Sequence, residues 1–194
     1  MSSSPQKTDP RRQRTRDELL SAFFTLVLSR RYHEIRVADV LAAAGVGRST
    51  FYEHFRNKDE LLSAALYGPF SILAGIVSAE AGTARVAGIL QHFWENRALA
   101  RSIFHGAALR VVRRALIAQI ESSLARQYRS RLRIPPRLAA HALADGMFSP
   151  IVAWLSGEAA CSAGDLAAAL QLSATATLRA LQVSAGADES VRAG

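Results

Sequence analysis

The chain has a single cysteine, Cys161, among 194 residues. No intrachain disulfide can form, a reducing compartment is the default, and Cys161 reads as a small apolar filler. Lysine is nearly missing: Lys7 and Lys58 stand among 24 basic residues, so arginine carries the positive charge. Acids are scarce at 16, leaving a formal net charge of +8. That balance favours an anionic partner, either nucleic acid or an acidic ligand, without choosing between them. No glycine-rich phosphate loop, HExxH, CxxC or Ser/His/Asp set occurs, and His33, His54, His92, His105 and His141 are scattered. An enzyme, a cofactor or a bound metal is therefore not expected; a metal assembled in space would draw on His92, His105 and His141. The N-terminus, MSSSPQKTDPRRQRTR, has no apolar run of the kind a signal peptide needs. The longest uncharged run, 19 residues between Glu60 and Glu80, could span a bilayer by length alone. It carries three serines, Tyr67 and an internal Gly68-Pro69. A buried core helix is the expectation, with no membrane contact.

Sustained β alternation is also missing, and helical spacing is what remains. Residues 1–14, rich in serine and arginine, read as a disordered basic arm. Thr15 and Glu18 have the spacing of a capping box opening a first helix over 16–30. A short helix, VADVLAAAG, ends at Gly45, and another covers 48–55. Asn57 to Glu60 suggests a cap for a helix over 58–79, bent at Pro69. Further helices follow over 84–96 and 98–107, then a long amphipathic one with Val111, Ala115, Ile117, Ile120 and Leu124 on its apolar side. Pro135-Pro136 stops it and opens a helix over 136–156. Ser162 and Asp165 cap the last one, over 163–182, before a flexible tail at 185–194. The fold class is all-α, with about nine helices.

The stretch VADVLAAAGVGRSTFYEHF has the layout of a helix-turn-helix. Ala42 is small enough for a close helix crossing, and Gly45 tolerates positive φ at the turn. Val46 would plug the turn into the core above Val40, Leu41 and Phe51. The second helix then offers its first residues to a DNA major groove. Arg48 can give two hydrogen bonds to guanine, and Ser49 and Thr50 can bond base edges or phosphate. Tyr52, His54 and Lys58 suit backbone phosphates. Phe51 and Phe55 read as core.

Residues 15–62 resemble the N-terminal domain of TetR-family transcriptional regulators. Thr15 through Val27 is similar to the family's opening, and Leu41 through Leu62, with AAGVGRSTFYEHFRNKDELL at its heart, is similar to its closing pattern. Three positions depart from it. Arg31 stands where glycine is usual before Tyr32. Arg36 and Val37 stand where Thr or Ser opens the second helix, which removes a cap worth about 1 kcal/mol. Ala38 replaces a polar or basic residue. Gly47, Val37 and Ala38 are the remaining candidate DNA positions, with Arg36 as a substitute phosphate contact.

The resemblance implies a three-helix DNA-binding domain over 15–60 and a C-terminal ligand-binding and dimerisation domain over 61–184. It implies a cytoplasmic homodimer on a double-stranded, near-palindromic operator, in most cases a repressor released by a small molecule. The sign of regulation, the absence of a small ligand and control by a protein partner stay open. The dimer face implied by the family falls on Leu143, Phe148, Ile151, Val152 and Leu155, with Leu166, Leu170, Ala174, Thr177, Leu178 and Leu181; those faces could instead complete the monomer core. Pocket candidates are Leu66, Phe70, Leu73, Phe93, Trp94, Arg97, Phe104, His105, Val112, Gln119, His141 and Met147, an apolar set with a few polar anchors. Residues 97–137 hold ten arginines against one acid, Glu121. They read as a solvated basic face on one long helix, or as an extra attraction to DNA or an acidic partner.

Overall fold

A computed structural model describes residues 9–78, 81–128 and 131–183. Ten α-helices and one 3₁₀ turn, Tyr32–Glu34, build it, with an isolated antiparallel bridge between Leu132 and Gln182. α1 (Pro10–Ser29), α2 (Val37–Ala44) and α3 (Arg48–His54) come first, then α4 (Lys58–Ala65) and α5 (Tyr67–Ala74). α6 (Thr83–Glu95), α7 (Arg97–Phe104), α8 (Gly106–Gln127), α9 (Pro136–Ser156) and α10 (Ala163–Leu181) follow. The all-α expectation holds, with one helix more than the periodicity suggested.

The extra helix comes from the run after Glu60. One helix over 58–79 was expected; the chain breaks at Leu66 into α4 and α5, each eight residues long. Pro69 is the third residue of α5, where its missing N–H costs no helical hydrogen bond. Helices this short cannot cross a bilayer. Among the described residues, α9 alone is long and apolar enough to do so, and half of its apolar window is buried inside the protein.

α1 starts six residues before the expected position. Asp9 caps it by accepting the Arg11 N–H at 3.0 Å, and Pro10 occupies the first turn. The Thr15–Glu18 box does not form: Thr15 Oγ1 donates to the Arg11 carbonyl, and Glu18 pairs with Arg14. Residues 10–14, expected in a disordered arm, are helical; residues 1–8 of that arm and the tail at 185–194 lie outside the described residues. The caps at Asn57 and Ser162 form as expected, accepting the N–H of Glu60 at 2.9 Å and of Asp165 at 3.0 Å. Cys161 is exposed, not buried filler; its carbonyl accepts the Trp154 indole N–H at 3.0 Å.

One continuous core runs from Leu19 to Leu178. α8 lies at its centre, against α4, α5, α7 and α9, and α10 packs on α6 and α9. Phe70, Phe93, Phe104 and Phe148 meet mostly edge to face, with ring centroids 5.5–6.4 Å apart. Four candidate pocket residues, Phe70, Leu73, Phe104 and Val112, are fully enclosed here, and Met147 nearly so. They fill the core and line none of the cavities described below. The bland alternative also wins on the expected dimer face: Leu143, Phe148, Ile151, Leu155, Leu166, Leu170, Ala174 and Leu178 are buried within one chain. Only Val152, Thr177 and Leu181 of that set keep partial exposure. The register explains the difference. α9 and α10 turn most of their large apolar residues inward, with Leu138 and Leu172 left outside among small ones.

The basic region is not one helical face. α8 ends at Gln127, which puts Arg131 and Arg133 in the connection to α9; Arg129 lies outside the described residues. Arg133 Nε donates to the Gln182 carbonyl at 2.9 Å, and Arg126 holds Ser122 and Ser123. Arg137 pairs with Glu121 at 3.2 Å, and Arg113 makes a two-pronged ion pair with Asp145. Hydrogen bonding from Arg113 holds the Asp145 carboxyl below its ordinary value, against the opposing effect of burial. A depressed carboxylate stabilises the fold above its unfolded pKa, about 4, and loses that contribution as pH falls through the folded value. The melting temperature of Asp145→Asn should therefore lie below wild type at neutral pH, and the gap should close below about pH 4. A gap that stays constant down to acid would show that the pair's charge is irrelevant.

Candidate nucleic-acid interface

α2 and α3 make a short corner. Gly45 ends α2 in the left-handed region at φ 66°, which only glycine adopts without strain. Its N–H returns to the Leu41 carbonyl, and so does that of Val46 at 3.2 Å. Val40 and Phe51 are fully buried, while Leu41, Ala44 and Val46 pack partly buried beside them. Ala42 does not supply the expected close crossing; it is exposed, and the inner residues of α2 are Val40, Leu41 and Ala44. α2 also has a cap that its sequence did not advertise: Asp39 Oδ2 accepts the Arg36 N–H at 2.7 Å, and Arg30 reaches Asp39 at 3.4 Å. This is half of a capping box without the usual Ser or Thr.

α3 stands on Phe51 and Phe55, and its other residues face outward. Arg48, Ser49 and Tyr52 are exposed and Thr50 is half-buried. The Arg48 guanidinium lies 6.0 Å from the centre of the Tyr52 ring. Gly47 precedes α3 in extended backbone and is exposed, as are Arg36 and Ala38, with Val37 partly covered. These eight residues, with His54 at the far end of α3, occupy the two helices of one corner and their N-terminal caps. None of the exposed side chains is needed to hold it together, so the outer surface is free to take a ligand.

Lys58 does not belong with them. Its ammonium donates to the Tyr32 carbonyl at 2.9 Å and the Ile35 carbonyl at 2.8 Å, and lies 4.5 Å from the centre of the Tyr32 ring. Burial lowers its pKa, with Asp59 opposing. The Tyr32 hydroxyl donates in turn to Asp59, and burial followed by that bond pushes the phenol far above its ordinary value. Lys58 thus fastens the α1–α2 connection to the start of α4. A charged donor on two carbonyls is worth about 2 kcal/mol where partly exposed. Lys58→Met should lower the unfolding free energy by about that much and leave the salt dependence of DNA binding unaltered. A phosphate contact would give the opposite pair of results.

Sequence reasoning missed two residues beside α3. Arg12 Nη2 donates to the Glu53 carbonyl at 3.2 Å, and the Arg16 guanidinium sits 4.7 Å over the Phe55 ring. Burial, then these two cations, depress the His54 pKa. For Arg12 the signal was the arginine run at 11, 12 and 14, which was expected in a disordered arm; the Asp9-Pro10 start makes it helical and brings it to α3, whereas Arg16 already lay in the expected helix.

Geometry of this kind, an exposed arginine, two hydroxyls and a tyrosine on the second helix of a tight corner, fits a DNA groove. A family model described as bacterial regulatory proteins, TetR family, matches residues 19–65. Residues 19–65 form a TetR-family N-terminal domain, and that family is one of transcription regulators, not of enzymes. A curated relative, the dhaKLM operon transcriptional activator DhaS of Lactococcus lactis, is 39% identical over 59 residues. That match spans 30% of this chain and about a third, 32%, of the relative. Among solved structures, a TetR transcriptional regulator from Streptococcus agalactiae superposes with a TM-score of 0.54 at 24% identity, over 84% of this chain and 95% of that one. The repressor AlkX from Dietzia gives 0.54 at 20% identity, over 91% and 99%. DhaS itself gives 0.51 at 21%, over 87% and 98%. The whole-chain likenesses establish the TetR fold; the N-terminal match adds the sequence of the DNA-binding corner.

The candidate ligand residues are not gathered in one cavity. Leu66 and Phe93 line a small apolar space of about 70 Å³ with Phe24, Pro69 and Leu99, beneath α1. Gln119 lines an open cleft of about 430 Å³ between α5 and α8, and donates to the Tyr67 carbonyl at 3.2 Å. Trp94 stacks on Trp154 at 4.8 Å, with Arg97 over its ring at 5.4 Å. His141 borders Asp145, and His105 lies in a third cleft beside Arg101. Among the described residues no group of three His, Cys, Asp or Glu side chains could hold a metal; His92 bonds to Asn96.

Proposed function

We propose that this TetR-family chain is a transcriptional repressor that acts in the cytoplasm as a homodimer, holds a near-palindromic operator through α3, and lets go when a small molecule binds its C-terminal domain. The observation that supports the DNA contact most directly is the outer surface of α3, where Arg48, Ser49 and Tyr52 are exposed on a corner braced by buried Val40 and Phe51. Release needs a link between ligand and corner. The Lys58 and Asp59 contacts supply it, because any tilt of α4 must carry the α1–α2 connection along. A ligand shifts that equilibrium only by its differential affinity for the two positions of α4. The small cavity at Leu66, Pro69 and Phe93 adjoins the α4–α5 break and could grow as α5 moves. A second arrangement, an activator, is favoured by the likeness to DhaS.

Gel-shift titration against DNA upstream of the chain's own gene, at several salt concentrations with scrambled competitor, tests the reading. Competitor-resistant binding supports it; sequence-blind binding that vanishes with salt would sink it. Transcription from the same fragment separates repressor from activator.

The homodimer would use the residues that α9 and α10 leave outside. On α9 these are Leu138, Ala142, Gly146 and Ser149, and on α10 Ala169, Leu172, Ser173, Ala176 and Ala180, all exposed. Their spacing follows one face of each helix. Small side chains allow two such pairs of helices to approach closely about a twofold axis.

A further inference from the structure

The third cleft has no part in the reading above. It encloses about 420 Å³ between the Tyr32–Glu34 turn and the corner where α7 meets α8. Arg31 and His33 line one side, Arg101, Ser102 and His105 the other, with Gly106 and Ala107 at its back. No carboxylate lines it. The nearest acid in the turn, Glu34, accepts the Arg31 backbone N–H at 3.3 Å and approaches His33 Nε2 at 3.8 Å. Neither the Arg31 nor the Arg101 guanidinium has a hydrogen-bond or ion-pair partner among the described residues, in contrast to Arg113, Arg126, Arg133 and Arg137.

Three further observations bear on what would enter. α8 begins at Gly106 and no side chain caps it, so its first N–H groups and the positive end of its dipole meet the back of the cleft. Gly106 itself adopts φ 60°, which leaves the backbone there bare. The Ser102 hydroxyl oxygen is buried without a hydrogen-bond partner among the described residues. His105 Nδ1–H donates to the Arg101 carbonyl at 3.0 Å and Nε2 bonds the Ser156 hydroxyl at 3.3 Å, which fixes its ring at the rim.

Two guanidiniums that line one cleft without a carboxylate offer charged donors to a single anion. We propose that this cleft binds a small multiply charged anion, a phosphate or a polycarboxylate, and that the anion bridges the DNA-binding unit, through Arg31, to the C-terminal unit, through Arg101. The bridge rests on the proposed function only for its consequence, namely that an occupied cleft holds the helix-turn-helix at one angle to α8.

The test therefore reads binding without DNA. Thermal melts of the full chain are run with inorganic phosphate, glucose 6-phosphate or citrate, each at an ionic strength matched with sodium chloride. Wild type is expected to rise by roughly 3–6 °C at about ten times the dissociation constant of a fitting anion. Arg31→Ala and Arg101→Ala should each lose at least about 90% of that rise. Arg85→Ala, an exposed arginine on α6 outside the cleft, should keep it. Preference for phosphate and its ester over citrate, or the reverse, identifies the source of the negative charge. No rise with any of the three anions overturns the site, as does an equal rise in all four proteins. Loss in only one of the two cleft variants overturns the bridge. All of these outcomes remain readable if no operator is ever found.

Discussion

Arg48→Ala/Tyr52→Ala should abolish operator recognition and leave the fold intact. Arg48 is exposed and Tyr52 is 49% exposed, and neither supports the corner. A bidentate arginine–guanine pair discriminates by about 1–3 kcal/mol, and a twofold dimer makes every contact twice. The expected loss is at least about 100-fold in affinity for the specific fragment. Affinity for scrambled DNA should fall much less, because non-specific attraction is spread over every cation facing the duplex. Gel shifts on both DNAs, with circular dichroism as the fold control, measure the difference. If specific and scrambled affinities drop in parallel, α3 contributes only charge. If neither moves, the groove is read by another element.

Leu172→Arg should split the proposed homodimer. Leu172 is 73% exposed in the single chain, so the change leaves the monomer core untouched. At a twofold interface the new arginine would meet its own copy or the copy's apolar surface, and either arrangement costs several kcal/mol. Sedimentation should show a monomer at concentrations where wild type is a dimer. Operator affinity should fall by about 100-fold or more, since two half-sites are then no longer joined. Leu178→Arg is the contrast: Leu178 is buried, and its replacement should melt the protein instead of dissociating it. A Leu172→Arg protein that stays dimeric would remove the α10 face from the interface.

How far the sequence could be read depended on how local each feature was. The helix-turn-helix was legible because its demands fall within a few residues: positive φ at Gly45, buried Val40 and Phe51, exposed Arg48 and Tyr52. The caps at Asn57 and Ser162 were legible for the same reason. Thr15 and Glu18 misled because Asp9-Pro10 offered a stronger start upstream, and that start put Arg12 beside α3. Helical periodicity marked an apolar face on α9 and α10 but could not say what would cover it. Leu155 and Leu178 were expected on a partner face or in the monomer core, and both are buried within the single chain.

Sequence alone determined an all-α chain, a DNA-binding corner at residues 37–54, and the kinds of side chain that corner offers, because those properties come from backbone conformation and local amphipathicity. The partners of each charged group were decided only by tertiary structure. Packing brought Tyr32 and Ile35 to Lys58 across more than twenty residues and turned an expected phosphate contact into a brace. It paired Arg113 with Asp145, and it left Arg31 and Arg101 facing one cleft with no acid between them. Long-range Coulomb pairing follows from where helices meet, and a linear pattern of charges does not encode that.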